Sequence, residues 1–212
     1  MSTFKILGPF ILLVGIAACK PKANYQIEER YIEFSKTENC TVLHRFPEVS
    51  GIKDSLLEEG LNRYFRQETG LFRAAAQCLE DSQRLEVISS YLVLSQSESL
   101  LSVELQKRTK SKENGENLLL YYPLSIRIED GHVQPLELLL SQAEWAIMTN
   151  KLKSWREEDP KNRIYNEASY EWGNTDLIPY GLSSDSLILY PGGEGETHSK
   201  FRLPIALEDL KE

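Results

Sequence analysis

Apolar and polar positions along the 212-residue chain repeat with two periods. Partial alternation in β-branched and aromatic residues marks residues 25–34 (YQIEERYIEF) and 41–46 (TVLHRF) as strands, the second ended by Pro47. From Gly51 the period changes. Ile52, Leu56, Leu57, Leu61, Tyr64 and Phe65 recur on one helical face, with Glu58, Glu59, Arg63 and Arg66 on the other. Lys53 or Asp54 opens this helix and Gly70 closes it, while residues 71–83 fit either its continuation or a loop. Residues 85–94 (LEVISSYLVL) and 100–106 (LLSVELQ) read as a hairpin across SQSES. Residues 107–117 (KRTKSKENGEN) form a charged turn around Asn114-Gly115 and lead into a strand over 118–128. There Leu124, Ile126 and Ile128 share one face and Ser125 and Arg127 the other, the signature of a half-buried antiparallel sheet.

Asp130-Gly131 turns the chain, and Ser141-Gln142-Ala143-Glu144 then reads as a capping box. Trp145, Met148, Thr149, Leu152 and Trp155 follow at helical spacing until Glu158-Asp159-Pro160 stops the helix. Residues 161–176 read as a polar loop, and residues 186–190 with 201–205 as a last hairpin over the loop 191–200 (PGGEGETHSK). The predicted fold class is α+β: an antiparallel sheet with two main amphipathic helices packed on it, in a single domain over residues 25–212.

The N-terminus follows neither period. Lys5 precedes an uncharged run of 13 residues, 6–18, that ends in small residues before Cys19, as in a signal peptide. Spanning about 30 Å of hydrocarbon takes roughly 20 apolar residues, so the run does not anchor by crossing. Ile16-Ala17-Ala18-Cys19 resembles the bacterial lipobox, in which the cysteine is acylated and becomes the first residue. The expected organisation is a signal peptide over 1–18, a lipidated tether over 19–24 with Lys20 and Lys22 beside the headgroups, and the domain after it. An ordinary secretory peptide with a chance cysteine is the alternative. Lysine at position 20, where aspartate often signals inner-membrane retention in such lipoproteins, favours the outer membrane facing the periplasm.

Charge and composition then narrow the chemistry. With 24 Lys+Arg against 32 Asp+Glu the net charge is −8, and loss of residues 1–18 removes only Lys5. Nucleic acid is therefore not an expected partner. The cysteines and histidines are too scattered for a metal centre or a redox pair, no nucleophile elbow is present, and no cofactor is expected. The acid pairs are adjacent in sequence and read as solvated faces. In an oxidising compartment Cys40 and Cys78 are expected to pair, closing a loop worth roughly 3 to 4 kcal/mol. Two buried, unpaired thiols are the alternative. The loop after residue 190 is the candidate partner surface, through Tyr190, Gly192, Gly193, Glu194, Glu196 and His198, or else a spacer. Its glutamates argue against a phosphate cradle.

Several segments in order resemble the domain shared by the extracellular part of RsiV-type anti-sigma factors and the non-catalytic region of PdaC-type deacetylases. They are Phe46-Pro47-Glu48-Val49-Ser50-Gly51, Leu61-Asn62, Leu100-Leu101-Ser102-Val103, Gly131 with Leu136 and Leu138, and Phe201-Arg202-Leu203-Pro204-Ile205 with Leu210. Residues 110–116 (KSKENGE) depart from the family's Gly-Gly-Ala-His-Gly loop, and the sigma-binding segment and spanning helix of the anti-sigma members have no counterpart. The resemblance implies a non-enzymatic α+β envelope domain that binds a protein or cell-wall component, with lysozyme or peptidoglycan as ligands. A structural or assembly lipoprotein, and a peptidoglycan-acting enzyme with an unrecognised site, are the alternatives.

Overall fold

Five strands form the larger sheet, in the order β1 (Gln26–Lys36), β2 (Cys40–Ser50), β3 (Leu85–Gln96), β4 (Leu100–Ser111) and β5 (Asn117–Arg127). The computed structural model describes residues 23–36, 40–67, 84–158, 179–191 and 199–211. The ambiguous stretch 71–83 and the polar loop 161–176 lie outside them. Pairing is antiparallel except between β2 and β3, which run parallel over Cys40–His44 and Leu85–Ser89. This corrects the purely antiparallel sheet of the sequence reading. A parallel pair needs a crossover, and the chain between β2 and β3 supplies one that contains α1 (Ser55–Gln67).

Helix α1 starts where its cap is. Asp54 Oδ1 accepts from the Leu56 and Leu57 amides at 2.9 and 3.2 Å, and Glu58 reaches back to the Ile52 amide at 3.0 Å. Its apolar stripe delivers Leu61 and Phe65 to one face of the sheet. They meet Phe46 and Val49 of β2, Leu101, Val103 and Leu105 of β4, and Leu120, Tyr122 and Ile126 of β5.

Pro47 does not end β2, which pairs with β1 as far as Ser50. Proline is tolerated there because β3 pairs only up to His44, leaving that side of β2 without a ladder. Asn62 of α1 takes the place of the missing strand: its Oδ1 accepts from the Val49 amide at 2.7 Å and its Nδ2 donates to the Val49 carbonyl at 2.8 Å.

The second face of the sheet is covered as well. Three antiparallel strands, β6 (Tyr180–Leu182), β7 (Ser186–Leu189) and β8 (Leu203–Ala206), form a smaller sheet, and β6 lies against β3, β4 and β5. Ser102 and Ser125, opposite each other on β4 and β5, share a hydrogen bond of 2.8 Å. The Ser102 hydroxyl also accepts from the Leu182 amide at 2.9 Å, and Ser125 donates to the Tyr180 carbonyl at 3.2 Å. The backbone of β6 is thus held by side chains of the sheet beneath it. Gly181 sits between those two contacts because a Cβ there would lie 2.3 Å from Leu94 Cδ1 and 3.3 Å from the Tyr190 hydroxyl.

Helix α2 (Gln142–Glu158) has the predicted capping box: Glu144 N to Ser141 Oγ at 3.3 Å and Ser141 N to Glu144 Oε2 at 2.7 Å. It does not pack on the five-stranded sheet. Trp145, Met148 and Leu152 instead join Tyr180, Leu187, Leu189, Ile205, Leu136, Leu140 and Leu210 in a second core. Two smaller departures concern β4 and β6. Strand β4 extends through residues 107–111, so the charged turn shortens to 112–116, where Gly115 adopts φ 74°. Strand β6 was not predicted.

The Asn62 contact is testable. Asn62→Ala leaves a buried amide and carbonyl of β2 without their partner and should lower stability by about 1–3 kcal/mol, measured by urea denaturation. An unchanged midpoint would mean that water serves Val49 equally well.

Candidate functional site

The alternation along β4 places Ser102, Glu104, Gln106 and Arg108 on the face turned away from α1. Glu104 is fully buried there. Its Oε2 accepts from the Tyr190 hydroxyl and from Arg202 Nε at 2.8 Å, and its Oε1 accepts from Gln106 Nε2 at 2.5 Å. Three donors around one carboxylate are what a buried charge requires. Arg202, with 35% of its side chain exposed, connects the group to solvent. Burial, reinforced by the Glu104 charge, drives the Tyr190 phenol far above its ordinary value and keeps it a donor. Burial alone would lower the Arg202 pKa, but its hydrogen bonds and charge contacts with Glu104 and Tyr190 outweigh that and raise it.

Beside this cluster lies a small pocket of about 170 Å³, lined by Ile88, Ser90, Gln106, Arg108 and Leu119. The register explains its walls: Ser90 stands opposite Gln106, and Arg108 stands between Ile88 and Leu119. Gln106 belongs to both features, since it donates to Glu104 while its Oε1 accepts from Ser90 Oγ at 3.4 Å. Such a space holds about five waters at 30 Å³ each or one side-chain-sized group. It is too small to enclose a cofactor-sized ligand. Chemically it offers apolar walls, a hydroxyl and an amide at its base, and an exposed guanidinium at its rim that makes no ion pair among the described residues.

A second polar pair lies on the α1 side. His44 and Ser89, opposite each other on β2 and β3, are fully buried and joined through His44 Nδ1 and Ser89 Oγ. His44 Nε2 donates to the Phe65 carbonyl at 3.2 Å, so Nδ1 accepts the serine proton. The ring stacks on Phe46 at 4.6 Å. The bonding order matches that of a serine activated by histidine, but neither side chain is open to a substrate, and the pair ties the last turn of α1 to the sheet. Burial pulls the His44 pKa down from 6.5 to about 4, against the opposing pull of the Phe65 and Arg66 carbonyls. Lys107, opposite Ser89 on β4, is also lowered by burial.

The sequence-derived candidates fall unevenly on this arrangement. Tyr190 is fully buried and bonded to Glu104, which removes it from an exposed recognition loop. Gly192, Gly193, Glu194, Glu196 and His198 lie outside the described residues, between Pro191 and Ser199. Ser199 itself pairs with Tyr121 of β5, whose ring lies 5.9 Å from that of Tyr190. Cys19 and Cys78 also lie outside. Cys40 is buried and disulfide-bonded, with its partner outside the described residues. Sequence reasoning missed Glu104 and His44 as organising groups. The signal available was a carboxylate within the mostly apolar first half of β4.

No protein-family model matches the sequence, and no curated protein is significantly similar to it. Solved structures are similar in fold. A DUF3298 family member from Bacteroides fragilis superposes with a TM-score of 0.54 at 11% identity, over 88% of this chain and 93% of that one. A DUF3298 family protein from Pseudomonas aeruginosa gives a TM-score of 0.50 at 14% identity, over 90% and 94%. This chain shares their fold. The likeness is one of fold alone, and no family model or sequence relative carries the RsiV-type resemblance further.

The buried imidazole makes stability pH-dependent with a fixed sign. The folded-state pKa lies below the unfolded one, so the contribution is complete above 6.5 and is lost as pH falls toward 4, where the unfolded chain binds the proton first. The expected loss is up to about 3 kcal/mol. Urea melts at several pH values should show this decline for the native protein and a flatter profile for His44→Gln. Parallel profiles would contradict the assignment.

Proposed function

We propose that this chain is a lipid-anchored, non-enzymatic recognition domain of the bacterial cell envelope, and that it binds an envelope or cell-wall partner through the pocket around Arg108. The observation that carries this reading is an exposed guanidinium, without an ion pair among the described residues, at the rim of a half-apolar pocket, on a chain of net charge −8. A cation with no ion pair among the described residues of an acidic protein favours an anionic group in the ligand.

The lipobox-like Cys19 supports a position at a membrane on the export side, where carboxylate-bearing peptidoglycan stems are such ligands. Lysozyme, the other ligand suggested by the RsiV-type resemblance, is basic and would be drawn by the acidic surface rather than by Arg108. Peptidoglycan is therefore the preferred partner class. The non-enzymatic reading is supported by the occupation of the buried polar groups: Glu104 is engaged by three donors and His44 by Ser89 and Phe65.

The test is calorimetric titration of the detergent-solubilised lipoprotein with purified muropeptides and, separately, with lysozyme. Muropeptide binding should persist at about 0.15 M salt, where exposed charge pairs are screened beyond about 8 Å. Arg108→Glu should weaken it at least tenfold, about 1.4 kcal/mol, without moving the melting midpoint. Binding that Arg108→Glu leaves intact would remove the pocket. Binding of neither ligand would favour a structural or assembly lipoprotein, and turnover of the muropeptide would make the protein an enzyme.

A further inference from the structure

The ends of the five strands assign a direction to the domain. Strand β1 begins, β2 ends, β3 ends, β4 begins and β5 ends at the same edge of the sheet, because Gln26 pairs with Ser50, Gln96 with Leu101, and Leu100 with Arg127. The chain enters the domain at that edge. A Cβ on Gly51 would lie 3.5 Å from the Asn24 carbonyl and 3.6 Å from Tyr25 Cα, and Tyr25 is tied to Gln96 and Leu100 by hydrogen bonds. Helix α1 also begins there, so Leu56 follows Gly51 by five residues.

Two large apolar side chains are exposed at this edge, Leu56 at 79% and Val133 at 60%. They flank one contact. Gly131, with φ 69°, packs against the Leu57 side chain, and Val133 bridges to Ile126 at the end of β5. Ala23 lies four positions after Cys19, a reach of at most about 14 Å at 3.3–3.6 Å per residue. An acyl anchor on Cys19 therefore holds this edge, and not the opposite one, against the lipid.

We propose that the edge carrying Leu56 and Val133 rests on the bilayer surface, the two side chains entering the headgroup layer as a second, weaker anchor beside the acylated Cys19. The occupant is lipid because the length of the tether leaves little room for anything else between that edge and the membrane. Exposed Glu98, Glu129 and Asp130 at the same end keep the contact shallow, and Lys53 with Lys20 and Lys22 of the tether offsets their charge. The opposite end, with the 112–116 turn and the pocket at Ile88, Arg108 and Leu119, then faces away from the membrane. The proposal rests on acylation of Cys19 as part of the functional reading above.

The experiment is methyl NMR of the full lipoprotein in phosphatidylcholine nanodiscs doped with a headgroup spin-labelled lipid. Intact mass of the nanodisc-bound protein reports acylation independently. The Leu56 and Val133 methyl signals should lose more than half their intensity, while Leu119 at the far end keeps its own. Acylated, nanodisc-bound protein in which Leu56 and Val133 broaden no more than Leu119 would overturn the orientation and leave the lipid anchor standing. Shielding of these methyls from a soluble paramagnetic agent without broadening by the lipid label would assign the patch to a second copy and overturn it as well. Protein that carries no acyl chain and stays off the nanodiscs would remove both readings.

Discussion

The β6–β8 layer lies on the polar face of β4 and β5, and the polar groups buried beneath it, Ser102, Glu104 and Ser125, must therefore find partners without water. This constraint organises the molecule. Ser102 and Ser125 bind each other and the backbone of β6, and Glu104 gathers Tyr190, Arg202 and Gln106. An unpartnered hydroxyl or amide at such a position costs about 1–3 kcal/mol, and an unpaired carboxylate more. Apolar residues at these positions could not satisfy the Leu182 amide or the Tyr180 carbonyl, so the serines belong to the interface between the sheets. The same logic holds on the α1 side, where Asn62 and His44 supply bonds to β2 and to the last turn of the helix.

Elements that carry their own local chemistry were legible in the sequence. Ser141 caps the second helix as read, Asp54, one of the two openings read for the first, caps that one, and the apolar stripe of α1 faces the core. Pairing was less legible, because the parallel β2–β3 pair depends on where the crossover lands, which no local pattern records. Burial of the polar face was hidden for a related reason. The run LLSVELQ alternates identically whether its Ser102 and Glu104 meet water or a second sheet, and the short strand β6 that covers them carries no period of its own. Pro47 misled as an ending because proline stops a strand only where a neighbour needs its amide.

Tyr190 shows how the same blindness reaches the site. Beside a glycine-rich loop an aromatic reads as a recognition residue, yet its hydroxyl is one of the donors that make Glu104 tolerable inside the protein. The pocket around Arg108 could not be read from sequence, since its walls come from three strands and meet only through their register. The point where the described chain enters the sheet, at Tyr25, and the pocket lie toward opposite ends of the five strands.

The central structural claim is that the second layer is fixed to the first through side chains of the sheet and not merely laid over it. Native-state hydrogen exchange at the Leu182 amide tests this most directly, because its partner is the Ser102 hydroxyl and not a strand. If the account is right, that amide exchanges only through global unfolding, with the same protection as the Val103 and Leu105 amides of β4. Exchange of Leu182 through a separate, lower-energy opening, with β4 still protected, would show that the β6–β8 layer is held independently and would contradict the account.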